Sequence, residues 1–136
     1  MKRSDALRSM LLAAALATAL AGCGGSGGES GGTQLAVQHL GAVEVNVETR
    51  PSPPVYGMNE VLVMLSTARG RPVSDVVVSV RGNGDDQWRQ AIQDGLVGVY
   101  RRAIRISPGS GPQVVVKIEH DGRVDELVFP LPPVQQ

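Results

Sequence analysis

Met58, Met64, His39 and His120 are the soft donors that a Cu(I) site would use. They are scattered, and no fixed ligand spacing groups them. Met64 falls inside a strand-like run where a methionine is expected to fill core, and the two histidines lie near turns, where they are read as solvated. Asp85, Asp86 and Asp94 supply oxygen for a hard cation. Ca²⁺ takes six to eight oxygens, and three separated carboxylates fall short of a binding loop. Serines are present without a Gly-x-Ser-x-Gly elbow, and neither histidine has an evident orienting partner. No pattern positions a carboxylate pair for glycoside hydrolysis, so the expected domain is non-catalytic and without a cofactor.

Three further groups concern binding rather than catalysis. Trp88 and Tyr56 could stack on a sugar, but only four aromatic residues exist and Tyr100 and Phe129 are the others. Trp88 is therefore expected between the sheets, and Tyr100 as a tyrosine that hydrogen-bonds backbone. Arg101, Arg102 and Arg105 form a basic set that suits either an acidic partner or the solubility of a strand edge. The whole chain has a formal net charge of zero. Without residues 1–22, which hold Lys2, Arg3, Arg8 and Asp5, ten Lys and Arg remain against twelve Asp and Glu. A domain with so little positive field is not expected to bind nucleic acid or an anionic membrane surface.

Cys23 is the one cysteine, which excludes a disulfide within the chain. It follows a basic head, Met1 to Arg8, and an apolar run from Met10 to Ala21. Twelve residues of helix span roughly 18 Å, short of the ~30 Å of a bilayer core, which is the pattern of an export signal rather than of a membrane span. The tetrapeptide Leu20-Ala21-Gly22-Cys23 resembles the lipobox of bacterial lipoproteins. The resemblance implies cleavage before Cys23, a diacylglycerol on its sulfur, and an exported protein held by lipid at a membrane facing the periplasm. Gly24, where the enterobacterial inner-membrane signal has Asp, implies the outer membrane in preference to the inner. Residues 24–32, GGSGGESGG, have nothing to bury and would reach roughly 15–18 Å as a coil.

Four segments follow: a signal peptide at 1–22, a lipidated cysteine and tether at 23–33, a folded domain at 34–131 and a tail at 132–136. Alternation with period two dominates the domain. Val43, Val45 and Val47 mark a first strand, ended by Pro51, Pro53 and Pro54. Strands are expected at 60–67, 73–81, 87–93, 99–106, 113–120 and 123–131. Asp121-Gly122 makes the strongest hairpin signal. In 99–106, Arg102 shares a face with Tyr100, Ile104 and Ile106, a parity that calls for a bulge or an edge. About seven strands with turn signals every eight to twelve residues make the expected fold all-β, an immunoglobulin-like antiparallel β-sandwich.

The segments NEVLVMLSTARGRPVSDVVVSV (59–80), DGLVGVYRRAIRI (94–106) and PGSGPQVVVKIEHDGR (108–123) resemble the YtkA-like/FixH-like family of exported, membrane-attached domains, with Gly98 and Tyr100 matching its Gly-x-Tyr. Membership implies an extracytoplasmic sandwich that acts as a binding or accessory module beside another envelope protein. The copper-handling branch of the family, associated with respiratory oxidases, implies metal binding, for which Met58 and His120 are the nearest candidates. Where family members often carry a Met- and His-rich segment, this chain has RGNGDDQWRQ (81–90), and Gln113 stands where they often place Trp. If Cys23 carries the anchor, Cys23→Ala moves the protein from the membrane to the aqueous fraction and abolishes labelling by a clickable fatty acid; membrane retention unchanged by the substitution overturns the anchor.

Overall fold

Alternating valine, isoleucine and leucine leaves one face of each strand apolar, and two such faces must close on each other to leave water. The computed structural model describes residues 31–85, 87–109 and 111–136. The expected signal peptide 1–22, Cys23 and the expected tether as far as residue 30 lie outside the described residues. Among the described residues the chain is all-β: β1 (Thr33–Gln34), β2 (Gln38–Leu40), β3 (Val43–Arg50), β4 (Gly57–Thr67), β5 (Val77–Gly82), β6 (Arg89–Gln90), β7 (Ile92–Gln93), β8 (Val99–Ile106), β9 (Gln113–His120) and β10 (Arg123–Pro130).

All the pairings between these strands are antiparallel. The larger sheet has the order β1-β3-β4-β8-β7, with β2 also on β3, and the smaller has the order β10-β9-β5-β6. With β3, β4, β8 and β7 taken as A, B, E and D, and β10, β9 and β5 as G, F and C, this is the strand order of immunoglobulin-like sandwiches. The core between the sheets is mostly aliphatic, centred on Leu65, Ile104, Ile106, Val47, Val80 and Val116 with the fully buried Phe129. Gln38 of β2 donates to the Val128 carbonyl of β10 at 2.6 Å, which ties the two sheets at one side.

The expected strands 99–106 and 113–120 carry those bounds in the structure, and Asp121-Gly122 joins β9 to β10 with both residues at positive φ, 48° and 74°. Several features differ from the sequence reading, and β4 starts at Gly57 rather than at Glu60. No strand is expected before Val43, yet β1 and β2 line β3, and Thr33, assigned to the tether, pairs with Thr49. Pieces of two and three residues are too short to show a period. The strand expected at 73–81 begins at Val77, because Pro72 bridges Ser66 and the Val73 amide bonds the Leu65 carbonyl (3.0 Å). That segment lies against the larger sheet before the chain crosses over.

The strand expected at 87–93 is divided between sheets: β6 pairs with β5, and β7 pairs with β8. Ala91, buried between them, donates its amide to Val78 (2.8 Å), and a small side chain suits that corner. The parity of β8 needs no bulge, since its register with β4 runs unbroken from Val99 to Ile106. β7 covers only Tyr100 and Arg101, so the rest of β8 is an edge and Arg102 turns out to solvent. The tail is also tied down: Tyr56 donates to the Gln135 carbonyl (2.8 Å) and Gln135 to that of Pro54 (2.9 Å).

The sandwich has two poles. At one lie Gly31, the proline loop 51–56, Gly82 and Gln135. At the other lie the β2–β3 turn, the β4–β5 connection, the β7–β8 turn and the Asp121-Gly122 hairpin. Gly98 fixes this second pole. Its φ is +80°, its carbonyl accepts from Leu65 (2.9 Å), and a Cβ there would sit 2.8 Å from both the Leu65 carbonyl oxygen and Pro72 Cβ. Gly95, also at positive φ (+65°), faces open space. Gly95→Ala is therefore expected to cost about 1–2 kcal/mol from backbone strain alone, and Gly98→Ala at least about 1 kcal/mol more, because the close contact adds to the same strain, as read by urea denaturation; equal costs would refute the close-packing role of Gly98.

Candidate functional site

Along the inner face of the smaller sheet, the rows nearest the hairpin pole change character. Val114, Val116 and Ile118 of β9 are followed at the same parity by His120, and Phe129 and Leu127 of β10 are preceded by Asp125 and Arg123. The register pairs Ile118 with Asp125 and His120 with Arg123. A charged lip therefore replaces the apolar core where the sheets part. Facing it are Leu40, Val43, Leu65, Val73 and Val76, which with Ile118 form the apolar floor and wall of a cleft of about 330 Å³. That volume is at the small end of ligand-binding cavities.

The β4–β5 connection supplies one wall of this cleft, and Tyr100 holds it. The ring is buried, and its hydroxyl lies 3.1 Å from the Ser74 carbonyl and 3.3 Å from that of Val73. The expected hydrogen-bonding tyrosine is thus present, but its targets lie 26 and 27 residues upstream rather than a few. Burial, helped by the negative charge of Asp75, pushes the phenol above the usual tyrosine range.

Around the lip, His120 Nδ1 stands 3.3 Å from Asp121 Oδ2 in an exposed pair. The side chains of Arg123 and Asp125, two residues apart on one face, make no hydrogen bond or ion pair among the described residues. Beside the cleft, Ile92, Leu96 and Val97 are exposed, Leu96 at 69%. They belong to β7 and its turn into β8, and Leu96 and Val97 add exposed apolar surface to the hairpin pole, where Val77 and Val124 are also exposed.

The candidate metal donors are dispersed. Met58, exposed at the start of β4, pairs with Arg105, while His120 closes β9 at the other pole. Met58 and Leu65, which floors the cleft by His120, are seven residues apart on one strand, about 23 Å, so Met58 and His120 cannot share an ion. His39 is exposed and opposite Glu44. Met64 is not a core residue as expected. It lies half-buried on the outer face of the larger sheet opposite Asn46, because it has the parity of Leu62 and Glu60 rather than that of Val63 and Leu65. No group of three His, Cys, Asp or Glu among the described residues is arranged to hold a metal. Asp85 Oδ1 accepts from the Gln87 amide (2.9 Å), Asp94 lies 2.6 Å from Arg101, and Asp86 is outside the described residues.

Trp88 also departs from its expected place between the sheets. It is half-buried on the outer face of the smaller sheet, with the Arg81 guanidinium 4.8 Å and the Lys117 ammonium 4.9 Å from its ring centroid. The sheet switch at Ala91 is the cause, since residue 88 comes before the chain turns inward. Tyr56 packs against the core from the proline loop, so the two rings do not build one sugar platform. Of the basic set, Arg101 sits in a lattice with Glu60 (3.3 Å) and Asp94 that continues through Arg50 to Glu48 (2.8 Å), while Arg102 and Arg105 are exposed. The set does not form one patch, because successive β residues face opposite ways.

No family model, curated protein or solved structure gives a significant match to this chain. The cleft residues Arg123 and Asp125 escaped the sequence reading, and their signal was parity: both fall on the apolar face of β10. Tyr100 yields a pH prediction. Its folded pKa lies above the unfolded one, so its contribution is full below about pH 10 and is lost as pH rises through the folded value. Tyr100→Phe should cost about 1 kcal/mol at neutral pH and flatten that alkaline loss, measured by urea titration at neutral and strongly alkaline pH; an unchanged alkaline slope would count against the buried phenol.

Proposed function

We propose that this chain is a lipid-anchored protein of the bacterial envelope whose sandwich is a non-catalytic binding module, akin to YtkA-like/FixH-like domains. The observation that carries this reading is the polarity of the domain. The chain enters the sandwich beside Thr49, at the pole of the proline loop, whereas the cleft and the exposed Leu96 and Val97 lie at the opposite pole. An eight-residue strand such as β3 spans about 26 Å. A tether leaving the first pole would then hold the second away from the lipid and towards a neighbouring envelope protein.

The chemistry of the cleft supports binding over catalysis. Its lining contains no hydroxyl or thiol side chain, and its one imidazole faces an exposed carboxylate. An apolar floor under a few charged groups is the usual make-up of a recognition site. Leader and lipobox support export, periplasm-facing attachment through Cys23, and the outer membrane in preference to the inner. The near-neutral charge supports a protein partner over a nucleic acid.

Photo-crosslinking tests the polarity in living cells. With benzoylphenylalanine in place of Leu96, a discrete protein adduct is expected; in place of the exposed Pro53 at the other pole, none. Adducts of the same kind from both positions, or from Pro53 alone, would refute a docking pole remote from the anchor.

A further inference from the structure

Two opposite charges without an ion-pair partner among the described residues stand at the mouth of the apolar cleft. Arg123 and Asp125 share the inner face of β10, and residues two apart on a strand are separated by about 6.5–7 Å. Neither forms an ion pair with the other or with any described residue. At that spacing on an open edge a mutual ion pair would gain little, so both groups stay available to a ligand that carries the two complementary charges. Behind them lie Leu40, Val43 and Val73, only partly buried although packed against the core.

We infer that the cleft binds a free aliphatic α-amino acid, its carboxylate on Arg123, its ammonium on Asp125 and its side chain against Leu40, Val43 and Val73. A guanidinium presents a planar fork to a carboxylate, and an aspartate accepts from an ammonium. A ligand carrying both charges on one carbon bridges the gap that the two side chains leave. The volume of about 330 Å³ holds a branched four-carbon side chain with room for the head group. Asp125 is half-buried, whereas Arg123 is exposed. The ammonium therefore sits deeper than the carboxylate, and the ligand enters side chain first. This inference rests on the domain being a binding module and names the occupant of its cleft, independently of what docks on Leu96.

The test is a titration of the isotope-labelled full chain in detergent micelles, followed by amide chemical shifts. L-leucine is expected to shift residues 118–125 together with Leu40 and Val43, and glycine, which lacks the aliphatic body, to leave them unmoved. 4-Methylpentanoate and 3-methylbutylamine each keep one charge and should bind about tenfold more weakly, the loss of one charge-assisted contact. Arg123→Gln should erase the preference of leucine over the amine, and Asp125→Asn its preference over the carboxylate. Neither side chain has a partner to lose among the described residues, so both variants should keep the parent spectrum away from the cleft. Absence of leucine-dependent shifts, equal shifts with glycine, or affinities untouched by both substitutions would overturn the proposal. A failed titration alongside a Leu96 adduct would remove the ligand and leave the docking pole standing; the converse would do the opposite.

Discussion

Closure of two aliphatic faces on each other is the constraint on which this molecule depends. No cystine joins the sheets, since the chain has a single cysteine, so cohesion comes from Val45, Val47, Val63, Val80, Val114 and Val116 and the larger side chains among them. Each buried side chain of this size contributes roughly 1.5–3 kcal/mol relative to exposure. β-branched residues suit this role, because their restricted rotamers lose little on packing over a pleated surface. The sandwich is well filled in the middle and opens at the hairpin pole, where Leu40, Val43, Val73 and Val76 are only partly covered. The cleft is what remains when the core stops and the strands continue.

Where the chain passes from sheet to sheet, the solutions are local and steric. Ala91 turns the corner between β6 and β7. Gly82 lies so close to the Arg105 carbonyl that no side chain fits between β5 and β8. Gly98 and Tyr100 hold the β4–β5 connection from opposite directions, one by its missing side chain and the other by its hydroxyl. The Gly-x-Tyr pattern thus has a physical purpose in this chain: it sets the wall of the cleft. At the other pole, Asn59 does similar work. Its side chain accepts from the Val55 amide (3.0 Å) and donates to the Val55 carbonyl (2.7 Å), which anchors the proline loop.

The charged lattice of the larger sheet shows how outer faces are used. Glu48, Arg50, Glu60, Arg101 and Asp94 alternate in sign across three strands and a turn, and Gln34 reaches Glu48 from the edge. Their stems cover Leu62, which is buried although it points away from the core. Such partly exposed pairs add little stability individually, but they make the face polar and mark it as distinct from the apolar hairpin pole.

The sequence alone determined the class of fold and the bounds of β8 and β9, because period two is a property of consecutive residues, and the Asp-Gly hairpin was legible with them. The basic head, apolar run and Cys23 on which the proposed anchor rests are likewise a contiguous stretch, open to reading without a fold. Tertiary structure decided the rest. Which sheet receives residues 87–93, whether Met64 and Trp88 face inward, and whether Met58 can meet His120 all depend on how separate strands are stacked. A one-residue change of parity, or a change of sheet, moves a side chain to the other side of the molecule. For the same reason Arg123 and Asp125 read as ordinary surface charges in the chain, and only the pairing of β9 with β10 puts them at the mouth of a cleft.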